Sequence, residues 1–436
     1  MRSLKAFKIS FGFVVNTIVL LILSSSIYAK PPVIQAVPPD LLSLRMETSP
    51  STGYTQNLVL SGAYLSGGVT PNVIVNSFPA GSVTGKHAFV AVPSGKIYVT
   101  YTLSTPNGYD LVLKEYSDPF TLQNTQQVSM LPVNPSNAYT PQIGGLDIKL
   151  DPQGNPYIAV AMVTGWTPTL TYTIYLYYFQ NGVLVNPPLT VQQLATLNFF
   201  TSYADLLKGE VKLDNSNMAN NRLYLTAGVR DPLSGNRLLQ EFEIDTTNFS
   251  VLAINQVSPR FHTGQNGAIS ASFKTAVNDF VAISSVARTS APYGLDVYHN
   301  QRMSSQNSWA ELNQFGIFES FDCKLDALNF LECGAVDFVP SGSGYVEELT
   351  LYIAMNPTCT NCWVRHAIPG TMGIDHSGVS ITSGLPGGIP TFFVATTDQV
   401  NNKVYYTSNL GTWNLIYIPK LNSNNVVRGT LLEKYF

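Results

Sequence analysis

Residues 147–160 read DIKLDPQGNPYIAV, and the start of this stretch returns further along the chain as EVKLDNSN and DCKLDALN. The pattern acid-x-Lys-Leu-Asp therefore occurs three times, with its lysines at Lys149, Lys212 and Lys324. These lysines are 63 and 112 residues apart, and the second interval corresponds to about two periods of 56 residues. Self-similarity at a period of this size predicts an architecture of repeated structural units.

Three further segments, 88–103, 270–287 and 379–397, show the same succession of a strand, a tight turn and a more apolar second strand. Aromatic, β-rich runs such as TYTIYLYYFQNG follow each pair, and then a last strand. Strand pairs with frequent turn signals and no helical period predict an all-β fold. Four strands per unit at a mean period near 57 residues are typical of β-propeller blades.

Six full units leave three strands unassigned near the N-terminus, LLSLRMET, NLVLSGAYL and NVIVNSF, and one near the C-terminus, NNVVRGTLL. If the C-terminal strand is the innermost strand of a blade that the N-terminal strands complete, the ring closes with seven blades, which we favour over six. A β-sandwich array does not predict this repeat, and the coils of a β-helix are shorter. We expect one β-propeller domain over 42–436, after a proline-rich lead-in over 30–41.

The first 29 residues have the pattern of a secretory signal peptide, since basic residues precede an apolar run over 11–23 and small residues end at Ala29. The alternative is an uncleaved anchor helix. A membrane span needs about 20 apolar residues. This run is shorter and contains Asn16. We therefore expect cleavage after Ala29 and a protein that is secreted, either extracellular or periplasmic.

The composition excludes several classes of partner. Only 12% of the residues are charged, and loss of the signal peptide would change the formal net charge from −3 to −6. A mildly acidic surface without a basic run argues against nucleic acid or an anionic membrane as partner. No transmembrane segment is expected after cleavage, and we expect a monomer.

The cysteines test the strand register. Pairing the two strands around the Pro-Gln-Gly-Asn turn places Ile148 opposite Ala159. The equivalent residues of the unit with the shorter turn are Cys323 and Cys333. Directly opposed antiparallel residues lie within the Cα separation of a disulfide. The pattern therefore predicts a Cys323–Cys333 bridge within one blade.

Cys359 and Cys362 form a C-x-x-C pair in PTCTNCW. Such a pair can be a redox motif, or half of a zinc site with Cys323 and Cys333. Secretion favours oxidation, and no βαβ pattern surrounds the pair. We expect two structural disulfides and no metal at these cysteines.

The charges of each acid-x-Lys-x-Asp motif share one face of the strand, because side chains alternate with a period of two residues. We expect ion pairs between neighbouring blades, since buried charges need partners. The alternative is a catalytic role for these residues.

The loops that lead into the inner strands should line one mouth of the central funnel. Their polar residues are the candidate ligand-binding set, together with Trp166, whose ring suits sugar stacking. The set comprises His87, Asp147, Glu210, Arg260, His262, Glu319, Asp375 and His376. If they converge, they form a cluster able to bind a divalent cation or a small polar ligand, or to perform acid/base catalysis. The alternative is that they are exposed turn residues that do not meet. No cofactor is predicted.

The motif LDPQGNPYIAV, an aromatic strand and then Gly/Asn-x-Trp, as in NSW and GTW, resembles the blades of sialidase-like propellers of the Asp-box type. The group's Asp-box, Ser-x-Asp-x-Gly-x-x-Trp, is not intact here, and Arg-Ile-Pro does not occur. The resemblance implies the propeller fold. Sialidases of this group use an arginine triad. Arg260, Arg288 and Arg365 are the candidates for it in this sequence, but no motif assigns them to that role.

Two functions follow from these patterns. The first is a secreted propeller that binds a glycan or an extracellular protein at the funnel mouth, and the absence of a catalytic signature favours it. The alternative is a glycoside hydrolase, sialidase-like, or a lyase that uses carboxylates of the leading loops. Glycosidase chemistry needs two carboxylates about 5 to 9.5 Å apart.

Overall fold

The structure is a computed structural model. It describes residues 38–434 except for 80–85, 93–94, 106–107, 118–119, 131–141, 166–168, 186, 198–210, 216, 231–236, 257–267, 276–278, 287–293, 302–306, 312–320, 326–330, 355–362, 377 and 399–400. The chain divides into two units, Met1–Pro38 and Pro39–Phe436, and the described residues belong almost entirely to the second. The predicted signal peptide and lead-in therefore stay predictions.

The described residues form β-strands joined by turns. The strands are β1 (Leu41–Ser49), β2 (Thr55–Ala63), β3 (Val73–Phe78), β4 (His87–Ala91), β5 (Lys96–Thr105), β6 (Gly108–Ser117), β7 (Thr121–Met130), β8 (Gln142–Leu150), β9 (Pro156–Gly165), β10 (Thr169–Gln180), β11 (Val183–Leu184), β12 (Leu189–Leu197), β13 (Val211–Asp214), β14 (Arg222–Arg230), β15 (Arg237–Asp245), β16 (Ser250–Gln256), β17 (Ala268–Thr275), β18 (Asp279–Val286), β19 (Gly294–Gln301), β20 (Asn307–Glu311), β21 (Phe321–Leu325), β22 (Leu331–Ser341), β23 (Gly344–Ala354), β24 (Trp363–Ala367), β25 (Val379–Gly384), β26 (Thr391–Thr397), β27 (Asn402–Thr407), β28 (Asn414–Ile418) and β29 (Val426–Lys434). The described part of the chain also has three short 3-10 helices, at Pro50–Thr52, Met218–Asn220 and Pro386–Gly388.

These strands pair into antiparallel sheets, so the all-β class and the four-stranded units are confirmed. In the described part of the chain the sheets have the orders β29-β1-β2-β3, β4-β5-β6-β7, β8-β9-β10-β12, β13-β14-β15-β16, β17-β18-β19-β20, β21-β22-β23-β24 and β25-β26-β27-β28, with β11 added beside β10. Within the same residues, no helix is long and apolar enough to cross a membrane.

One strand at the end of each sheet meets its counterparts in the other sheets. We call β4, β8, β13, β17, β21, β25 and β29 the first strands. Consecutive first strands contact one another from β4 to β29, and β29 also contacts β4. The C-terminal strand β29 pairs with β1, so residues from both ends of the described chain share one sheet.

Neighbouring sheets bury apolar side chains between their faces. The second and third sheets share one such cluster, in which Leu111 from β6 and Val160 from β9 are fully buried. Alternating β-branched and aromatic residues suit this packing because each strand presents one side chain in two to a given face. The core therefore follows directly from the alternation seen in runs such as TYTIYLYYFQ.

The hairpin of the opening motif differs from expectation by one residue. Ile148 faces Ile158, and Leu150 faces Pro156, so the predicted pairing of Ile148 with Ala159 is wrong. Asp151 belongs to the turn because its Oδ1 accepts hydrogen bonds from the backbone N–H groups of Gln153 and Asn155, at 2.9 and 2.7 Å. Aspartate favours such turns because its short side chain can replace backbone acceptors.

The equivalent hairpin between β21 and β22 has the predicted register. Cys323 faces Cys333, and the two form a disulfide with a Cα separation of 4.1 Å. Both sulfur-bearing side chains are buried. Cys359 and Cys362 lie outside the described residues, so the second disulfide stays a prediction.

A buried ion pair within β1 forms hydrogen bonds to the chain that precedes β29. The guanidinium of Arg45 lies 2.8 Å from the carboxylate of Glu47, and neither side chain is exposed to solvent. Arg45 also donates to Ser61 Oγ at 2.6 Å, to Asn72 Oδ1 at 3.0 Å and to the Pro419 carbonyl at 2.9 Å. The pKa of Arg45 is lowered because the effect of burial exceeds the opposing effect of the Glu47 charge.

Glu47 also bonds to the chain that precedes β29. Its carboxylate accepts the backbone N–H of Leu421 at 2.9 Å and the Asn425 side-chain amide at 2.9 Å. We call Arg45, Glu47, Leu421 and Asn425 the clasp. A buried charge without its partner is strongly unfavourable. The clasp therefore makes the position of the 419–425 segment, and of β29 after it, depend on β1.

We predict that Glu47→Ala lowers the free energy of unfolding by about 3 to 5 kcal/mol, because Arg45 would stay buried without a counter-charge. Urea unfolding followed by circular dichroism measures this loss. Glu243→Ala is the matched control, since Glu243 pairs with Arg222 at 3.1 Å where both side chains are about a third exposed. The control should lose less than about 1 kcal/mol. Equal losses in the two variants would contradict the importance of the clasp.

Candidate functional site

A cavity of about 360 Å³ lies between the first strands. Residues of β4, β8, β13, β21, β25 and β29 line it within the described part of the chain. We call it the inner cavity. Its size falls in the range of small-molecule sites. The titratable residues that line it are His87, Asp147, Lys149, Lys212, Asp214, Asp322, Lys324, Glu433 and Lys434.

The first acid of the repeated motif bonds to the next sheet. Asp147 Oδ2 accepts the backbone N–H of Leu213 at 2.7 Å. Asp322 Oδ2 accepts the backbone N–H of Ile381 at 3.0 Å and the Ser380 hydroxyl at 2.9 Å. A first strand is an edge strand, so its outward N–H groups have no partner within their own sheet. The carboxylate of the preceding sheet supplies that partner.

The motif therefore connects sheets by a different contact from the one expected. The sequence predicts ion pairs between neighbouring blades, whereas Asp147 and Asp322 bond to backbone N–H groups. An ion pair in the described residues joins Lys324 to Glu433 at 3.0 Å, but it links β21 to β29, which are not consecutive first strands. Lys324 also donates to the Leu432 carbonyl at 2.8 Å.

The electrostatic environment of Lys324 combines opposing effects. Burial would lower its pKa, but the nearby carboxylates of Glu433 and Asp322 outweigh burial, so the pKa is raised. Lys212 acts in the opposite sense because its positive charge repels that of Lys324. Lys324 is therefore protonated at neutral pH, and the inner cavity holds like charges close enough to interact.

The candidate residues named from sequence fall into three groups. His87 and Asp147 line the inner cavity, but they lie within β4 and β8 and not in leading loops, because these strands begin earlier than the pattern indicates. Asp375 is exposed and His376 is fully buried. Outside the described residues lie Trp166, Glu210, Arg260, His262 and Glu319.

His376 has an interior environment. Its Nε2 donates to the Thr371 carbonyl at 3.2 Å, and its Nδ1 lies 3.2 Å from Thr396 Oγ1. Its backbone N–H donates to the Glu347 carboxylate at 2.7 Å. Burial lowers the pKa of His376, which keeps the imidazole neutral. These contacts suit a structural role, because they join the segment before β25 to β23 and β26.

Sequence reasoning assigned the lysines of the motif to structure and left them out of the candidate site. Lys149, Lys212 and Lys324 nevertheless all line the inner cavity. The signal that identifies them is the alternation itself, since the motif acid and the motif lysine are two residues apart and share one strand face. Among the described residues, no group of three or more His, Cys, Asp and Glu side chains could hold a metal ion.

Comparison with known proteins gives structural likeness only. No protein-family model matches the chain. No curated protein matches it either. Similar solved structures include the alpha-L-arabinanase of Penicillium chrysogenum complexed with arabinobiose, with 12% identity over 82% of this chain and 96% of that one, at a TM-score of 0.45. The β-propeller domain of the trilobed protease from Pyrococcus furiosus has 11% identity over 78% of this chain and 84% of its own, at 0.43.

A sialidase from Streptococcus pneumoniae is also similar, with 9% identity over 76% of this chain and 60% of that one, at a TM-score of 0.38. This solved structure is a sialidase, as are members of the group that the sequence resembles. With TM-scores below 0.5, these three likenesses carry no argument about this chain.

We predict that Asp322→Ala lowers the free energy of unfolding by about 1 to 3 kcal/mol, because the Ile381 N–H loses its acceptor. Asp322→Asn is the matched control, since the amide keeps one oxygen able to accept that bond. Chemical denaturation of both variants measures the difference. A loss that is no larger in Asp322→Ala than in Asp322→Asn would contradict a role for this acceptor.

We also predict that the protein loses stability as the pH falls below about 6.5, the usual pKa of an unfolded histidine. The folded state keeps His376 neutral and therefore binds fewer protons than the unfolded state, so acid favours unfolding by up to about 1.4 kcal/mol per pH unit. Urea unfolding between pH 7.5 and pH 5 measures the slope. His376→Gln should flatten it, whereas His366→Gln should keep most of it because His366 is partly exposed. An unchanged slope in His376→Gln would contradict the prediction.

Proposed function

We propose that this chain is a secreted, seven-bladed β-propeller that binds a glycan in the inner cavity. The observation that carries the proposal is a cavity of about 360 Å³ lined by six first strands in the described residues, with charged side chains on several strands, hydroxyl side chains on β25 and apolar side chains such as Phe89 between them. Sugars are recognised by such groups, since each hydroxyl needs hydrogen-bond donors and acceptors in a concave site.

The proposed ring rests on contacts between sheets. The first strands touch in succession, β29 touches β4, and β29 pairs with β1. Such a ring leaves only short, protected edges. The clasp supports the proposal because hydrogen bonds from a buried ion pair of β1 would hold the chain that precedes β29.

Secretion is supported by two independent features. The N-terminal sequence has basic residues followed by an apolar run over 11–23 and small residues up to Ala29. The Cys323–Cys333 disulfide suits an oxidising compartment.

Binding is favoured over catalysis by the state of three of the four carboxylates that line the inner cavity. Asp147 and Asp322 accept backbone N–H groups of neighbouring sheets, and Glu433 pairs with Lys324. A catalytic pair would instead need one carboxyl that holds a proton for the leaving group and one that is directed at the sugar. A cavity of this small volume also favours a glycan over a protein as the ligand.

The proposal is tested by thermal-shift measurements on the purified protein with a panel of neutral and acidic saccharides. A ligand that binds the folded state raises the melting temperature. At a ligand concentration one hundred times Kd, the folded state is stabilised by about 2.7 kcal/mol. We expect at least one saccharide to do so, and we expect Lys149→Ala to reduce the shift.

Lys96→Ala is the matched control because Lys96 is half exposed on β5 and pairs with Glu115 at 2.8 Å, outside the cavity lining. It should keep the full shift. If no saccharide changes the melting temperature, or if Lys149→Ala keeps the full shift, the proposal is overturned. Release of reducing sugar in the same samples would favour the glycoside hydrolase alternative.

A further inference from the structure

His376 lies in the segment that joins β24 to β25, and its side chain is fully buried. Its Nε2 is 3.2 Å from the Thr371 carbonyl. A carbonyl oxygen can only accept a hydrogen bond, so Nε2 carries a hydrogen. In the neutral imidazole, Nδ1 is therefore an acceptor that needs a donor of its own.

On the Nδ1 side of the ring, one hydroxyl hydrogen faces two acceptors. Thr396 Oγ1 of β26 lies 3.2 Å from His376 Nδ1 and 2.9 Å from the carbonyl oxygen of Gly378. A hydroxyl group donates only one hydrogen. While the ring is neutral, either Nδ1 or the Gly378 carbonyl must go without it. The shorter distance favours the carbonyl, which leaves a lone pair of Oγ1 directed at Nδ1.

A second proton on the ring would satisfy every group of this arrangement. Nδ1–H would donate to Thr396 Oγ1, and the hydroxyl hydrogen would go entirely to the Gly378 carbonyl. Nε2–H would continue to donate to the Thr371 carbonyl. Both distances from Oγ1 already lie within hydrogen-bond range, so no heavy atom has to move. The buried site is therefore arranged for an imidazolium as well as for an imidazole.

The charged groups around His376 come from several elements. The Glu347 carboxylate of β23 accepts the backbone N–H of His376 at 2.7 Å. Asp398, which follows β26, pairs with Lys403 of β27 at 2.6 Å, and Asp375 is exposed beside the histidine. Burial has the largest effect and lowers the pKa of His376, whereas Glu347 and Asp398 raise it and Lys403 lowers it. The surrounding charge is thus negative on balance and would partly compensate a charged ring.

We infer that the folded protein takes up a proton from solvent at Nδ1 of His376 in acid, and that this proton directs the Thr396 hydroxyl to the Gly378 carbonyl alone. Gly378 directly precedes β25. Acid therefore strengthens the hydrogen bond that holds the start of β25 to β26. Below the midpoint of this uptake, the folded and unfolded states hold equal numbers of protons at His376, so the loss of stability that this residue causes in acid ends there.

NMR titration from about pH 7.5 to about pH 4 tests the inference on protein with nitrogen-15 in histidine and valine. Of the five histidines, His376 is assigned by the loss of its signal in His376→Gln. We expect hydrogen on Nε2 alone at neutral pH and on both ring nitrogens in acid, in protein that is still folded. The amide signal of Val379, assigned by its loss in Val379→Ile, should titrate with the same midpoint because its peptide group contains the Gly378 carbonyl.

Thr396→Val gives a test whose sign separates the two possible roles of the hydroxyl. Valine has a similar shape but cannot accept Nδ1–H, so His376 should bind its proton about tenfold more weakly. Thr396→Ser keeps the hydroxyl and should retain the original midpoint. Thr102→Val is the control for loss of a buried hydroxyl, because Thr102 is fully buried on β5 of another sheet. It should also retain the midpoint.

Three results would overturn the inference. The first is a ring that stays neutral at every pH at which the protein is folded. The second is proton binding in Thr396→Val that is as tight as in the original protein or tighter, since the hydroxyl would then not be the acceptor of Nδ1–H. The third is a Val379 amide that does not titrate with the ring. If Thr396→Val does not fold, the titration of the original protein decides, because its ring and Val379 signals must change together.

Discussion

The unpaired N–H groups of the first strands are the constraint on which this architecture depends. A strand at the end of a sheet must find partners for these groups or leave them exposed. Asp147 and Asp322 meet this need by accepting N–H groups of Leu213 and Ile381, each on another sheet. The repeated acid of the motif thus joins one sheet to the next. It recurs because each sheet has an edge strand whose N–H groups need an acceptor.

The same constraint brings the lysines into the inner cavity. Once Asp147 and Asp322 point from their strands toward the neighbouring first strand, the lysines two residues later share that face. There Lys324 forms an ion pair with Glu433 and donates a hydrogen bond to the Leu432 carbonyl, while the charge of Lys212 repels it. One motif therefore supplies both the contacts between sheets and the charge of the cavity, which is why a structural explanation and a binding explanation of the same residues are compatible.

The repeat predicted the strands and the Cys323–Cys333 bridge because these depend on neighbours in sequence. The register at Ile148 was missed by one residue, since Asp151 replaces a backbone acceptor in the turn. Burial of His376 was not predictable, because it depends on Thr371 and Thr396 packing around the ring. The Arg45–Glu47 clasp was also missed, because its partners lie more than 370 residues further along the chain.

The pairing of β1 with β29 imposes an order on biosynthesis. Leu41 pairs with Lys434, so β1, β2 and β3 leave the ribosome long before the strand that completes their sheet. Until then β1 presents an open edge, and Arg45 and Glu47 lack their partners from the 419–425 segment. Exposed strand edges of this kind are prone to aggregate during folding. The edge of β1 therefore needs protection from aggregation until β29 has been synthesised and can pair with it.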